Sequence, residues 1–285
     1  MTRANYAHAS DAASLPHGCG ALSFHRMLSA DTERREALEA AEGGPLKRAY
    51  VRGIFSDIAP RYDFLNHLLS FNIDRTWRRR AVAELGWKAR SGGTYLDLCA
   101  GTLDVAVELG RQRGFKGTVI GADFAEPMLR TGQPKTTRLP VRSVVADILE
   151  LPFADAATSG AIVAFGIRNV ADLDASLREI HRVLLSGARL VILEFSVPRS
   201  RVVRFVYNSY FHFILPMVGR LVSGHPTAYR YLPESVANFP SENQLAARMK
   251  TAGFVNVRWY SLTPGIAAIH VGERAGPAAG AGGYA

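Results

Sequence analysis

The run Asp97-Leu98-Cys99-Ala100-Gly101-Thr102-Leu103-Asp104 carries the chain's densest chemical potential. It ends a short apolar stretch that begins at Thr94 and opens a segment of helical composition, so it reads as a strand-to-helix turn. In open α/β sheets such turns face the crevice where ligands bind. Gly101 lets a ligand approach the backbone closely, and Thr102 offers a hydroxyl and an amide beside a helix start. Alone, the run is an ordinary β–α turn with one glycine. Two further acids add weight. Asp123 ends the next apolar stretch about 20 residues on, where a carboxylate accepts both hydroxyls of a ribose. Asp147 ends a third, where an adenine amino group needs an acceptor. Three acids at successive strand ends point to a nucleoside.

The choice of nucleoside follows from what is missing. A dinucleotide site needs G-x-G-x-x-G so that a pyrophosphate reaches a helix N-terminus. Only Gly101 of that pattern is present, which weighs against an NAD-dependent oxidoreductase. S-adenosylmethionine has no phosphate, and the acidic residue inside the first motif, Asp97, suits its amino group.

These residues need a frame. Short apolar segments at Thr94–Leu98, Thr118–Phe124, Val141–Asp147, Gly160–Gly166 and Arg189–Phe195 read as strands. Helical segments alternate with them, from about Asp104 to Arg113, from Glu126-Pro127, and along Leu173, Leu177, Ile180 and Leu184. Asp172 is placed to cap that last helix and Gly187 to stop it. The βαβ alternation predicts a doubly wound, mainly parallel α/β sheet of Rossmann-like type. After a helix from Glu242 to Ala252, Phe254–Leu262 and Ile266–Glu273 flank Thr263-Pro264-Gly265 and predict a terminal antiparallel hairpin, a mark of methyltransferases.

Three regions flank this domain, residues 91–274, and one is inserted within it. Residues 1–45 read as a disordered extension, with a transit peptide as the weaker reading and a short helix from Asp31 to Ala41. Residues 46–90 read as a helical cap, 197–240 as a basic, aromatic helical insert, and 275–285 as a flexible tail. The composition, with 48% hydrophobic and 21% charged residues, is that of a globular chain and excludes global disorder. Two cysteines cannot build a secreted disulfide framework, and no Cys/His cluster has zinc spacing, so a cytoplasmic setting without a metal is expected. A net charge of +9 suits nucleic acid, an anionic membrane or an acidic substrate.

Several segments together resemble the UbiE/COQ5 family of quinone C-methyltransferases. They are Phe55-Ser56-Asp57-Ile58-Ala59-Pro60-Arg61-Tyr62-Asp63, Asn66-His67-Leu68-Leu69-Ser70, Trp77-Arg78-Arg79, Phe165-Gly166-Ile167-Arg168-Asn169-Val170, Leu193-Glu194-Phe195-Ser196 and Tyr229-Arg230-Tyr231-Leu232-Pro233-Glu234-Ser235. The resemblance implies a class I methyltransferase fold with a helical cap and S-adenosylmethionine as cofactor. It implies a polyprenyl quinol acceptor in menaquinone or ubiquinone synthesis, demethylmenaquinol first. It assigns Thr102 to the glycine-rich turn, Asp123 to ribose, and Asp147 with Ile148 to adenine. Leu103 stands where the family's motif has glycine and must be accommodated beside the methionine moiety; Cys99 and Ala164 are further departures.

C-methylation of a hydroquinone needs in-line positioning and stabilisation of a phenolate. Arg168 is placed to stabilise the anion and orient a water, and Asn169 to fix a hydroxyl. Tyr62, Asp63, Tyr229 and Arg230 are second candidates, whereas His67 and His270 read as structural. In the insert, polar residues at 201, 204, 208 and 212 leave a wide apolar face, and residues 197–234 hold five arginines against one glutamate. This predicts an interfacial helix or a prenyl-tail channel on a membrane surface, which accounts for the charge without nucleic acid. A methyltransferase for another apolar acceptor stays open, as does a homo-oligomer.

Overall fold

The computed structural model describes residues 45–63, 70, 72–209 and 234–276. Of the extension expected over residues 1–45 all but Pro45, which begins a helix, lies outside the described residues, as do the segment around Asn66 and His67, most of the insert with Tyr229 and Arg230, and the end of the tail.

Two helices come first, α1 (Pro45–Ile58), followed by a 3-10 turn at Ala59–Arg61, and α2 (Ile73–Glu84). Then β1 (Thr94–Leu98), α3 (Asp104–Gly110), β2 (Thr118–Asp123), α4 (Glu126–Gly132), β3 (Val141–Val145), β4 (Thr158–Ala164), α5 (Leu173–Val183) and β5 (Leu184–Phe195) alternate. The rest is α6 (Arg201–Ser209), α7 (Glu242–Thr251), β6 (Phe254–Leu262) and β7 (Ala267–Arg274). The strands form one sheet in the order β3-β2-β1-β4-β5-β7-β6, with β7 antiparallel to both neighbours. The order reverses between β1 and β4, and the crevice there lies outside the carboxyl ends of the strands.

Period-two alternation explains why the central strands read as continuous apolar runs. Tyr95 of β1, Ile162 of β4, and Val191 and Leu193 of β5 face one layer with Trp77 and Leu109. Leu96, Leu98, Ala161, Val163, Leu190 and Ile192 face the other, with Leu177, Ile180 and Met249. Both faces are covered, so neither tolerates polar alternation.

The structure shifts some expected boundaries. α3 ends at Gly110 rather than Arg113. β4 begins two residues early, because Thr158 pairs with Leu184 and its hydroxyl donates to the Val183 carbonyl at 3.0 Å. Asp172 caps α5, its Oδ1 accepting the Ala175 N–H at 2.9 Å. Gly187, however, does not stop that helix. α5 passes directly into β5, and Gly187 supplies a left-handed φ of +71° where the β4–β5 register shifts.

Leu103 sits in the left-handed region at φ +66°, and its side chain is fully buried. It does not border the cavity described below, contrary to its expected place beside a methionine moiety. Instead it packs on Gly121 of β2, where an added Cβ would fall 2.2 Å from Leu103 Cδ2. Leu103→Gly is expected to relieve about 1–2 kcal/mol of backbone strain but to lose about 2–5 kcal/mol of buried side chain, a net destabilisation. Gly121→Ala alone should cost about 1–3 kcal/mol through overpacking. The double variant should lose less than the sum, which urea unfolding of all four proteins measures.

Candidate active site

A cavity of about 780 Å³, its open mouth included, lies at the carboxyl ends of β1, β2, β3 and β4. The turn after β1 forms part of its wall. Cys99, Gly101 and Leu103 all have positive φ, so the chain reverses its handedness at every second residue. Gly101 lines the cavity, and an added Cβ there would come 3.3 Å from Met128 Cε.

Asp123 closes β2 on the cavity wall. Its Oδ2 accepts the Gly101 N–H and its Oδ1 the Ala125 N–H, both at 2.8 Å. A carboxylate has about four acceptor positions, so acceptor capacity remains for a ligand hydroxyl beside these amides. Burial pushes its carboxyl above the usual range, and the Ala125 and Gly101 amides pull part of the way back.

Asp147 lies two residues beyond the end of β3 rather than at it. Its Oδ1 accepts the Leu149 N–H at 2.9 Å, and its Oδ2 pairs with Arg48 of α1 at 2.8 Å. Ile148 follows it on the cavity wall.

Two cofactor candidates stand behind the wall. Asp97 is buried and its Oδ2 accepts the Ala106 N–H at 2.9 Å, tying β1 to α3. Burial holds its carboxyl well above the usual range. It does not line the cavity; its carboxylate is engaged behind the wall with α3. Thr102 is buried too and donates its hydroxyl to Asp63. Lys135 then bridges Asp63 and Asp104 at 2.7 and 2.6 Å. Thr102 and Asp63, singled out separately, thus form one clamp between cap and turn. Tyr62 does reach the cavity and meets Phe55 edge-on at 5.8 Å.

The acceptor candidates divide in the same way. They sit in a 3-10 turn, Ile167–Asn169, after the left-handed Phe165. Asn169 lines the cavity, and its Oδ1 is buried with no hydrogen-bond partner among the described residues. A buried orphan acceptor in a cavity wall calls for a ligand donor. Arg168 turns away. Its NH1 donates to the Phe165 carbonyl at 2.6 Å and pairs with Glu194 at 2.7 Å, and its guanidinium lies 5.5 Å from the Phe195 ring centre.

Sequence reasoning missed Glu194 as the partner of Arg168, although a lone acid ending an apolar strand was a usable signal. It also missed Arg48, which has no signal in its neighbours along the chain. Cys99 lines the cavity, and burial and the nearby Asp123 push its thiol pKa well up. His270 is buried and donates to the Glu242 carbonyl at 3.0 Å from Nε2, away from the cavity. Among the described residues no group of three or more His, Cys, Asp or Glu could hold a metal.

A sheet of this order, with its antiparallel last strand pair and a buried acid at the end of β2, has the arrangement of the S-adenosylmethionine-dependent methyltransferase fold. The fold is shared with a chain in the Haloferax volcanii complex of the Trm112 methyltransferase activator with a methyltransferase, at a TM-score of 0.55 and 17% identity over 77% of this chain and 98% of that one. The profile of the ubiE/COQ5 methyltransferase family matches residues 44–274, and the chain belongs to that family. A demethylmenaquinone methyltransferase of Thermus thermophilus is 50% identical over 223 residues, 78% of this chain and all of that one. A ubiquinone/menaquinone biosynthesis C-methyltransferase of Geobacter sulfurreducens is 45% identical over 228 residues, 79% of this chain and 88% of its own. The chain is an S-adenosylmethionine-dependent C-methyltransferase.

Proposed function

We propose that the enzyme methylates a ring carbon of a polyprenylated quinol, with demethylmenaquinol as the first acceptor and the ubiquinone-pathway benzoquinol as the second. The relatives' names support the acceptor class. The observation that carries it to this site is the orphan Asn169 Oδ1, an acceptor for a quinol hydroxyl in the wall that Asp123 and Asp147 also border. The family places this chain among methyltransferases and leaves the oxidoreductase reading without support.

The bound cofactor supplies an electrophilic methyl on a sulfonium. Asp123 holds the ribose hydroxyls with its remaining acceptor positions, and Asp147 and Ile148 receive the adenine. Asn169 orients the ring hydroxyl by accepting from it, and the cavity's apolar wall excludes water from the reacting ring. Arg168 acts from behind the wall: paired with Glu194 and bonded to the Phe165 carbonyl, it fixes the turn that carries Asn169. Incubation with methyl-labelled S-adenosylmethionine and each quinol should label the naphthoquinol ring carbon. Labelling of neither quinol, with cofactor binding intact, would sink this acceptor class.

The acceptor's apolar tail bears on α6. Val202 is 75% and Phe205 73% exposed, one helical turn apart, with Arg199 and Arg201 exposed beside them. Tyr207, on the other side, is buried; burial raises its phenol pKa, and Arg168 and Glu194 lie close enough to act on it. One short helix therefore joins an apolar, basic surface to the charged pair behind the acceptor turn. No helix of the described residues is long and apolar enough to cross a membrane. The proposed association is peripheral. Binding to anionic vesicles should fall as salt shortens the screening length from about 8 Å toward 3 Å. Val202→Asp/Phe205→Asp should weaken it by about tenfold or more, since each buried apolar side chain adds roughly 1.5–3 kcal/mol. Vesicle binding unaffected by both treatments would remove α6 from the interface.

A further inference from the structure

Two consecutive residues of α1 reach the two halves of the site. Lys47 is buried, and its Nζ donates to the Arg168 carbonyl at 2.8 Å. That carbonyl belongs to the peptide that joins Arg168 to Asn169. Arg48, 61% exposed at its side chain, pairs with Asp147 at 2.8 Å and lines the cavity. The helix between these contacts and the turn after β1 is well seated: Val51 is fully buried with Phe124 and Phe55 around it, and Phe55 meets Tyr62. α1 thus lies across the ends of several strands and touches each side of the cavity from one rigid element.

The two contacts differ in a telling way. Lys47 lies 121 residues from its partner and donates to a backbone oxygen. A buried ammonium with a carbonyl for its acceptor is an expensive anchor, and both burial and the Arg168 charge push its pKa down. The turn has local bonds of its own, Asn169 N–H to Gly166 O at 3.0 Å and Val170 N–H to Ile167 O at 3.3 Å. Those bonds close the turn but do not fix it against the cap; the Lys47 contact does. On the other side, Asp147 holds its Oδ1 on the Leu149 N–H and its Oδ2 on Arg48. Any donor that engages this carboxylate must share it with Arg48, and thereby with α1.

We propose that Lys47 and Arg48 are positioning residues that couple the cofactor side of the cavity to the acceptor turn, so that occupancy at Asp147 sets the order of the peptide carrying Asn169. The proposal rests on the nucleoside reading of Asp147. It assigns α1 a function beyond covering the cavity: the acceptor side is completed only when the cofactor side is filled.

Hydrogen exchange of the full chain, with and without saturating S-adenosylhomocysteine, tests this. In the unmodified protein the ligand should slow exchange of the 168–170 amides by about tenfold or more. In Lys47→Met and in Arg48→Ala the slowing should shrink to about threefold or less, while amides of the β6–β7 hairpin stay unchanged. Lys47→Arg should retain most of it. Slowing retained in Arg48→Ala, a substitution at an exposed side chain, overturns the coupling even where Lys47→Met fails to fold. Binding without any slowing in the unmodified protein overturns it as well. No binding of S-adenosylhomocysteine at all would instead overturn the nucleoside reading on which the coupling rests.

Discussion

Arg168→Ala is expected to lose about 3–5 kcal/mol of folding stability, because it strands Glu194 as an unpaired carboxylate that is only 2% exposed. Turnover should fall by on the order of 10²-fold as the turn that carries Asn169 is displaced, with cofactor affinity far less changed. Lysine should rescue poorly. One guanidinium nitrogen serves the Phe165 carbonyl and Glu194 together while the planar group lies by Phe195, and an ammonium cannot reproduce that planar geometry. The variant Arg168→Met/Glu194→Leu separates the two effects. Replacing a buried pair by apolar groups is often neutral or better for stability, so the fold should recover. Turnover should not. Recovery of turnover with stability would mean that packing alone, without the bond to the Phe165 carbonyl, sets the turn.

Asp123→Ala is expected to weaken cofactor binding by roughly 1.5–3 kcal/mol, about 10- to 100-fold, as measured by calorimetry. The loss has two sources. The ribose loses its acceptor, and the Gly101 and Ala125 amides lose theirs, so the turn after β1 loosens too. A structurally silent substitution is therefore not expected. The pH dependence has opposite signs for folding and binding. Burial raises the Asp123 pKa, so the folded protein keeps this proton to a higher pH than the unfolded chain. Its contribution to stability is full below the unfolded value and is lost as pH rises through the folded one. Binding needs the ionised form, which can accept from both hydroxyls. Affinity should therefore fall as pH drops through that raised value, by about tenfold per unit below it, and already above the ordinary carboxylate range. Asp123→Asn should bind weakly with no such slope.

The sheet was legible because its central strands are buried on both faces and its turns fall at Gly101, Gly253 and the 263–265 run. The acids at strand ends were legible as a set, but what each does was not. Asp97, Asp123 and Asp147 look alike in one dimension, and only packing turns Asp97 inward onto Ala106 while Asp123 remains on the cavity wall. The Arg168-Asn169 pair shows the same limit. Adjacent residues in a 3-10 turn point different ways, so one meets Glu194 and the other the cavity. Gly187 was misread because a glycine after a helical run signals a stop, whereas the β4–β5 register needed its positive φ inside a strand. Arg48 had no local signature, since its meaning depends on an acid about a hundred residues away.

The fit of Leu103 against Gly121 constrains how this turn can change by descent. A lineage that exchanged the leucine for glycine first would pass through a protein with a void under α3. One that enlarged position 121 first would pass through a clash. Neither step is open to drift in a marginally stable chain, although the doubly changed protein is not excluded by geometry. The two positions form a ratchet: once a side chain has filled the space that a bare β2 glycine leaves, each residue holds the other in place. A substitution inside a nucleoside-binding turn can then persist for a reason that has no part in recognising the nucleoside.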